Sequence, residues 1–143
     1  MSDTKQSIQT NHIEYSMVII LCLVIFIIVS PLVYKTIYNM SKMSAETSTQ
    51  GVIEYVKSLY TNENLKYEVG LPFKIKFTKD SLIAYEKDNE ITLNTINEVT
   101  LKGKKPISGT VTIDENGNVD IKDLDFGYYK CEKNTNDKIN CYK

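Results

Sequence analysis

The hydrophobic positions of the chain change their period along the sequence, and each change marks a predicted element. Every residue from Met17 to Val29 is apolar, and apolar residues resume after Ser30 and Pro31. About 18 residues of helix reach most of the way across a hydrocarbon core about 30 Å thick. Because helices of soluble cores are rarely apolar on all faces, residues 13–34 are predicted to form a transmembrane helix, preceded by a short polar leader, residues 1–12.

A helical period continues beyond the membrane segment. Apolar side chains between Val52 and Tyr60 recur on one face, which predicts an amphipathic helix that packs on a core. We therefore predict that one long helix continues over residues 35–62 and ends near Asn62 and Asn64. Its weakest part is residues 44–51, where the pattern predicts a hinge or a gap.

A period of two replaces the helical period after Pro72. The alternation of apolar and charged residues in Phe73–Phe77 is typical of a half-buried strand, and Asn116-Gly117 between two alternating runs predicts a hairpin. Residues 63–143 are thus predicted to form a β-rich domain. Its predicted strands are residues 73–77, 81–85, 91–93, 110–113, 119–121 and about 126–131, with a polar loop over 132–140. A long helix that packs on a small antiparallel sheet belongs to the α+β class.

The charge balance argues against nucleic acid as a partner. The formal net charge is −1, and the chain contains no arginine. Acids and lysines cancel over the predicted domain, so no basic face for nucleic acid is predicted. No motif indicates a small-molecule substrate either.

Catalysis has almost no support in the sequence. The single histidine, His12, precedes the membrane segment, which excludes a Ser–His or Cys–His arrangement within the domain. No catalytic or phosphate-binding motif occurs, so we expect a protein that is not an enzyme and carries no cofactor. Acidic residues surround the predicted hairpin, but no glutamate closes a calcium-binding loop and no metal site is predicted. These acids are Asp114, Glu115, Asp120, Asp123 and Asp125.

The three cysteines divide by location. Cys22 lies in the apolar run and is predicted to be a small buried hydrophobic residue. Cys131 and Cys141 lie in a polar segment, where they form either a disulfide in an oxidising compartment or two free thiols. A zinc site would lack further ligands, since His12 is distant. A disulfide favours a domain outside the cytoplasm, whereas the lysines flanking the membrane segment lean towards a cytoplasmic one.

Two residues of the predicted membrane helix are unusual for a plain anchor. Glu14 opens the apolar run behind Ile13, and Pro31 follows Glu14 by 17 residues. Farther along, residues 103–119 read G-K-K-P-I-S-G-T-V-T-I-D-E-N-G-N-V. The first pattern resembles the N-terminal helix of type IV pilins and type II secretion pseudopilins. The second resembles a G-x-K-P-x-S-G-x-V-x-I hairpin of Gram-positive pilin-like proteins.

The resemblance implies a structural function. A pilin-like chain is a subunit or accessory of a type IV pilus-like or type II secretion filament, with like or related subunits as partners and the apolar helix as the assembly surface. In pilins the glutamate neutralises the N-terminal amine of a neighbouring subunit, and the proline gives a gentle kink. Alternatively, Glu14 marks the aqueous end of an ordinary anchor, and Pro31 is a tolerated membrane-helix proline.

The leader departs from the pilin pattern at its processing site. Pilin leaders are cleaved after a glycine, whereas Gln9 stands at that position and Thr10 replaces the usual phenylalanine. Gln9-Thr10 is therefore a candidate processing junction, and a chain that is not cleaved there would stay in the membrane.

The expected localisation is the cell membrane. We expect a single-pass protein whose helix contacts lipid and whose C-terminal domain lies outside the cytoplasm, as a pilin-like filament subunit does. The rival hypothesis is a monomeric membrane-anchored extracytoplasmic binding domain that does not polymerise. Cleavage between Gln9 and Thr10 is expected only of the filament subunit.

Overall fold

The described part of the chain consists mainly of one long helix and one antiparallel sheet. The computed structural model describes residues 3–133 and 137–143, with side chains from residue 14 onward. Helix α1 (Asp3–Tyr67) comes first. The strands are β1 (Phe73–Phe77), β2 (Leu82–Glu86), β3 (Asn89–Ile91), β4 (Ser108–Ile113), β5 (Val119–Asp125), β6 (Lys130–Lys133) and β7 (Ile139–Tyr142), and a short 3₁₀ helix (Ile96–Glu98) lies between β3 and β4. This is the α+β architecture that the sequence predicts.

The strands form a single sheet in the order β3-β2-β1-β4-β5-β6-β7, and every neighbouring pair is antiparallel. Strand β1 shows why the sheet has one buried face. Phe73, Ile75 and Phe77 are buried, whereas Lys74 and Lys76 point to the other face. Since side chains alternate along a strand, the period of two in the sequence becomes one apolar and one polar surface.

The second half of α1 covers the apolar face of the sheet. The chain forms two compact units, residues 1–40 and 41–143, and the core lies in the second. Val52, Val56 and Leu59 are completely buried, and the rings of Tyr60 and Phe73 lie 5.4 Å apart between centroids. Val52, Val56 and Leu59 lie on one face of the helix because they are three to four residues apart.

Helix α1 differs from its predicted bounds at two places. It does not end near Asn62 but continues to Tyr67, where Glu68 takes a positive φ of 54° and donates its N–H to the carbonyl of Asn64. The last turns are held by side-chain contacts of Glu63 and Lys66 to a distant loop, which local propensity does not reveal. A gap over residues 44–51 is also wrong, because helix is continuous there, whereas a hinge at these residues stays a prediction.

The connection from β3 to β4, residues 92–107, passes over α1, and we call it the strap. Thr95 in the strap is buried and donates two hydrogen bonds to Glu63 of the helix. Farther along, the N–H of Lys104 donates to Oγ of Ser48. Val99 and Leu101 pack against the core between these two points. The strap therefore holds the helix at points that lie far apart along its length.

Gly51 explains the weak helical signal at residues 44–51. A β-carbon on Gly51 would lie 2.1 Å from the carbonyl oxygen of Lys102, far inside van der Waals contact. Gly103 has a φ of 94°, and a β-carbon there would lie 3.2 Å from Oγ of Ser48. Glycine lowers helix propensity, but here it lets two backbones approach.

The predicted hairpin at Asn116-Gly117 joins β4 to β5. Asp114 and Asn118 close the turn through a backbone hydrogen bond of 2.9 Å, and Gly117 has the positive φ, 80°, that such a turn needs. At the far end of β4, the register shifts between Ser108 and Thr110 as β4 meets β5.

The C-terminal part differs most from the sequence prediction. Residues 126–129 were predicted as strand, but they form a turn in which Phe126 N–H bonds to the carbonyl of Tyr129. The predicted polar loop before Cys141 instead contains the start of strand β7. This strand is short and mostly polar, so no apolar alternation announces it.

Candidate functional site

The apolar segment of α1 is the first candidate site. It is long and apolar enough to cross a membrane, with a mean hydropathy of 3.0 and none of its residues buried by the rest of the chain. Its exposed fractions range from 43% at Val29 to 71% at Phe26. Exposed apolar surface of this extent requires lipid or protein to cover it. The structure is therefore compatible with a single-pass membrane protein.

Glu14 and Pro31 both lie in this segment. Glu14 is exposed at its beginning, and the helix rises about 25 Å between the two residues. Pro31 lies inside the helix, where its ring removes one backbone donor, and α1 is nevertheless continuous. The two side chains are thus near opposite ends of the apolar surface. The roles predicted for them in assembly concern other copies of the chain and stay predictions.

The candidate processing junction lies at the beginning of α1. Gln9 and Thr10 belong to helical backbone, but their side chains lie outside the described residues. Processing there stays a prediction.

The structure brings Cys131 and Cys141 together. They face each other on β6 and β7 with Cα atoms 4.1 Å apart, and a disulfide joins them. Both are buried. Cys22, by contrast, was predicted to be buried but is exposed on α1, as is the apolar run around it. Burial of Cys22 therefore requires lipid or another chain.

The acidic residues around the β4–β5 hairpin do not converge. Among the described residues, no three His, Cys, Asp or Glu side chains are placed to hold a metal ion. The carboxylate of Asp114 instead accepts hydrogen bonds from the backbone N–H groups of Asn116 and Asn118, at 2.9 and 2.8 Å. These bonds, led by Asn118, lower the pKa of Asp114. The Asp125 carboxylate likewise accepts the N–H of Gly127. Asp114 and Asp125 therefore shape turns.

A groove beside strand β7 is a second candidate site. Its volume is about 320 Å³, and it is lined by Lys42, Glu46, Lys138, Ile139 and Asn140. Lys42 and Glu46 are half-buried, and no ion pair between described residues involves them. The groove is at the lower limit of volumes typical of small-ligand sites.

Sequence reasoning missed the most deeply buried charged residue. Glu63 is 1% exposed, and its Oε1 accepts the N–H of Thr95 at 2.5 Å and the hydroxyl at 2.9 Å. Lys66, one turn later, pairs with Glu98 at 2.6 Å, and this hydrogen bond raises the pKa of Lys66. No sequence signal links residues 32 positions apart. The position of Glu63 on the apolar face of α1 is the one available clue.

Comparison with known proteins adds no relative. No protein-family model, no curated protein and no solved structure matches the chain. The likeness to pilins is one of arrangement: a long apolar N-terminal helix followed by an antiparallel sheet.

Proposed function

We propose that this protein is a pilin-like subunit or accessory of a type IV pilus-like or type II secretion filament. One observation carries the proposal. A single helix is apolar and exposed from Met17 to Val29, and one face of its second half is buried against an antiparallel sheet. A plain anchor needs only to span the bilayer, whereas this helix also forms the spine of the domain. Packing of many such helices would cover their apolar surfaces and leave the domains outside.

Glu14 is the residue proposed to direct assembly. A carboxylate at the edge of the hydrocarbon is unfavourable alone and gains from a cationic partner. The N-terminal amine of a neighbouring copy supplies that cation in the filament. Pro31, 17 residues later, is proposed to adjust the curvature of the packed helix.

The domain is proposed to lie outside the cytoplasm. The Cys131–Cys141 disulfide supports this side, because disulfides persist in oxidising compartments. No enzymatic activity, cofactor or nucleic-acid partner is proposed.

Cys22 offers a direct test of assembly. It is the free cysteine of the described chain and is exposed on the apolar segment, so a bifunctional thiol reagent applied to membranes should join copies whose helices pack together. Because Cys131 and Cys141 are joined to each other, each chain offers one free thiol and the reagent can join two copies, so we expect a covalent dimer of the full-length chain. Glu14→Gln should abolish the dimer, and Glu54→Gln, on an exposed face of the same helix, should leave it unchanged.

The rival function is a monomeric, membrane-anchored binding domain. Gln9 at the position of the pilin glycine favours it. N-terminal sequencing of the protein recovered from cells separates the two. Cleavage between Gln9 and Thr10 together with a cross-linked dimer supports the filament subunit. An uncleaved chain that yields no cross-linked dimer would overturn the filament proposal in favour of the monomer.

A further inference from the structure

The strap is fastened to α1 by hydrogen bonds at two points about four helical turns apart, and also by the ion pair between Glu98 of the strap and Lys66 of the helix. Near its beginning, Thr95 donates its backbone N–H and its hydroxyl to the carboxylate of Glu63. Near its end, the N–H of Lys104 donates to Oγ of Ser48 at 3.2 Å. The helix rises about 22 Å from Ser48 to Glu63. The strap therefore runs along the part of α1 whose side chains build the core.

A notch in the helix receives the strap. Gly51 has no side chain, and the carbonyl oxygen of Lys102 occupies the space where a β-carbon would be, 2.1 Å from its ideal position. Gly103 also lies close to the helix: a β-carbon on Gly103 would lie 3.2 Å from Cα of Ser48. Every other residue on this side of α1 carries a side chain at the neighbouring turns, so the strap fits the helix in one register.

The strap is held less firmly than the sheet. All five residues of β1 are paired on both sides, with β2 and with β4. Residues 92–107 belong to no strand, and Lys102, Lys104 and Lys105 are exposed. Segments with few backbone hydrogen bonds and exposed side chains open at lower free energy than core strands do.

We propose that the strap is a clasp that opens independently of the sheet, and that the notch at Gly51 sets how often it opens. When closed, the clasp fixes the register between α1 and the sheet. When open, it uncovers the face of α1 that carries Ser48 and Gly51. All of these contacts lie within residues 41–143 of one chain, so the clasp does not depend on the proposed filament.

Limited proteolysis with trypsin tests the clasp. Trypsin needs an extended stretch of chain, and Lys102 and Lys104 offer cleavable bonds within the strap. The experiment uses the full-length chain in lipid nanodiscs. Cleavage after these two lysines should depend only weakly on urea, because opening of the strap exposes little surface. Cleavage after Lys76 and Lys122, in β1 and β5, should depend on urea steeply.

Variants at the notch provide a second test of the clasp. Gly51→Val fills the notch with a side chain. The overpacked contact should destabilise the closed strap and speed cleavage within it by about tenfold or more. Gln50→Val places the same side chain on an exposed neighbouring position and should have no effect. Equal urea dependence in strap and sheet, or equal effects of the two variants, would overturn the proposal.

A locked clasp keeps the test decisive even if Gly51→Val does not fold. Ser48→Cys with Gly103→Cys, made in a Cys22→Ala background, brings the two β-carbons to about 3.5 Å, within the range of a disulfide. Oxidation should suppress cleavage after Lys102, and reduction should restore it. Cleavage that is the same in both forms would show that the strap does not open as proposed.

Discussion

The carboxylate of Glu63 accepts both the backbone N–H and the hydroxyl of Thr95, although Glu63 is only 1% exposed. A buried carboxylate is unfavourable unless it is hydrogen-bonded, and hydrogen bonds to charged groups are stronger than those between neutral groups. This contact therefore links the end of α1 to the strap, and it explains why the helix continues beyond Asn62.

The Glu63–Thr95 contact should be measurable as stability. Glu63→Gln keeps the shape of the side chain but replaces charge-assisted hydrogen bonds by neutral ones, so we expect the free energy of unfolding to fall by about 1–2 kcal/mol. Urea denaturation of the full-length chain in detergent measures it. Glu54→Gln, at an exposed position of the same helix, is the control and should stay within about 0.5 kcal/mol of the wild type. Equal losses in both variants would contradict a special role for Glu63.

Gly109 should be far less tolerant of a side chain than Gly117. Both have positive φ angles, 124° and 80°. A β-carbon on Gly109 would lie 2.6 Å from Cα of Leu124, whereas nothing lies within 4 Å of one on Gly117. We expect Gly117→Ala to cost about 1 kcal/mol of backbone strain, and Gly109→Ala about 3 kcal/mol or more. Thermal denaturation of the two variants side by side gives the comparison, and a smaller effect at Gly109 would be incompatible with this register shift.

Asp114 should contribute to stability above its own pKa. Hydrogen bonds from the turn lower the folded-state pKa of Asp114 below the unfolded value, so its contribution is present above the unfolded pKa and is lost as pH falls through the folded one. Asp114→Asn should weaken the dependence of the melting temperature on pH in the acid range. Glu115→Gln changes a carboxylate that accepts none of these turn hydrogen bonds, and it serves as the control. If the melting temperature of Asp114→Asn still fell steeply with pH in the acid range, the pH dependence would come from other groups.

The Cys131–Cys141 disulfide should stabilise the β6–β7 hairpin and keep both cysteines unreactive towards thiol reagents. The bond closes a loop with a sequence separation of 10, and removing it with Cys131→Ser and Cys141→Ser should cost about 2–3 kcal/mol. Thiol labelling of protein from intact cells, with and without reductant, checks that the bond forms. Labelling of Cys22 alone before reduction is the expected result. Two reactive thiols at 131 and 141 would remove the chemical support for a domain outside the cytoplasm.

The apolar segment should respond to charge differently from the rest of α1. Arginine at the centre of a membrane helix costs about 3 kcal/mol, so Leu23→Arg should shift the full-length chain from the membrane to the soluble or aggregated fraction. Leu65→Arg is the matched control, because Leu65 is 78% exposed near the end of the same helix. Alkaline extraction of membranes measures the difference. Unchanged membrane retention of Leu23→Arg would show that this segment does not span the bilayer.

Periodicity predicted the elements whose apolar faces are local in sequence. The apolar run, the amphipathic stretch after Val52 and strand β1 all follow from side chains three to four or two residues apart. The end of α1 could not be predicted in this way, because it depends on contacts of Glu63 and Lys66 to residues 32 positions away. The two errors share one physical cause, since the strap sets both the helix end and the need for glycine at position 51.

The features of the candidate sites could also be predicted from the sequence only in part. The positions of Glu14 and Pro31 and the pairing of Cys131 with Cys141 could be proposed from spacing and chemistry alone. Strand β7 and the groove beside it could not, because β7 is defined by its pairing with β6. A short polar strand at the edge of a sheet has no apolar alternation to announce it.

Both edges of the sheet are poor templates for further strands. One edge is β3, with three residues and an exposed Glu90, and the other is β7, with four residues between Lys138 and Lys143. Short edges flanked by charges disfavour the addition of a strand from another molecule. In the proposed filament, crowding of many copies in one bilayer would therefore not favour fusion of their sheets into aggregates, and contacts between neighbours would be left to the helices.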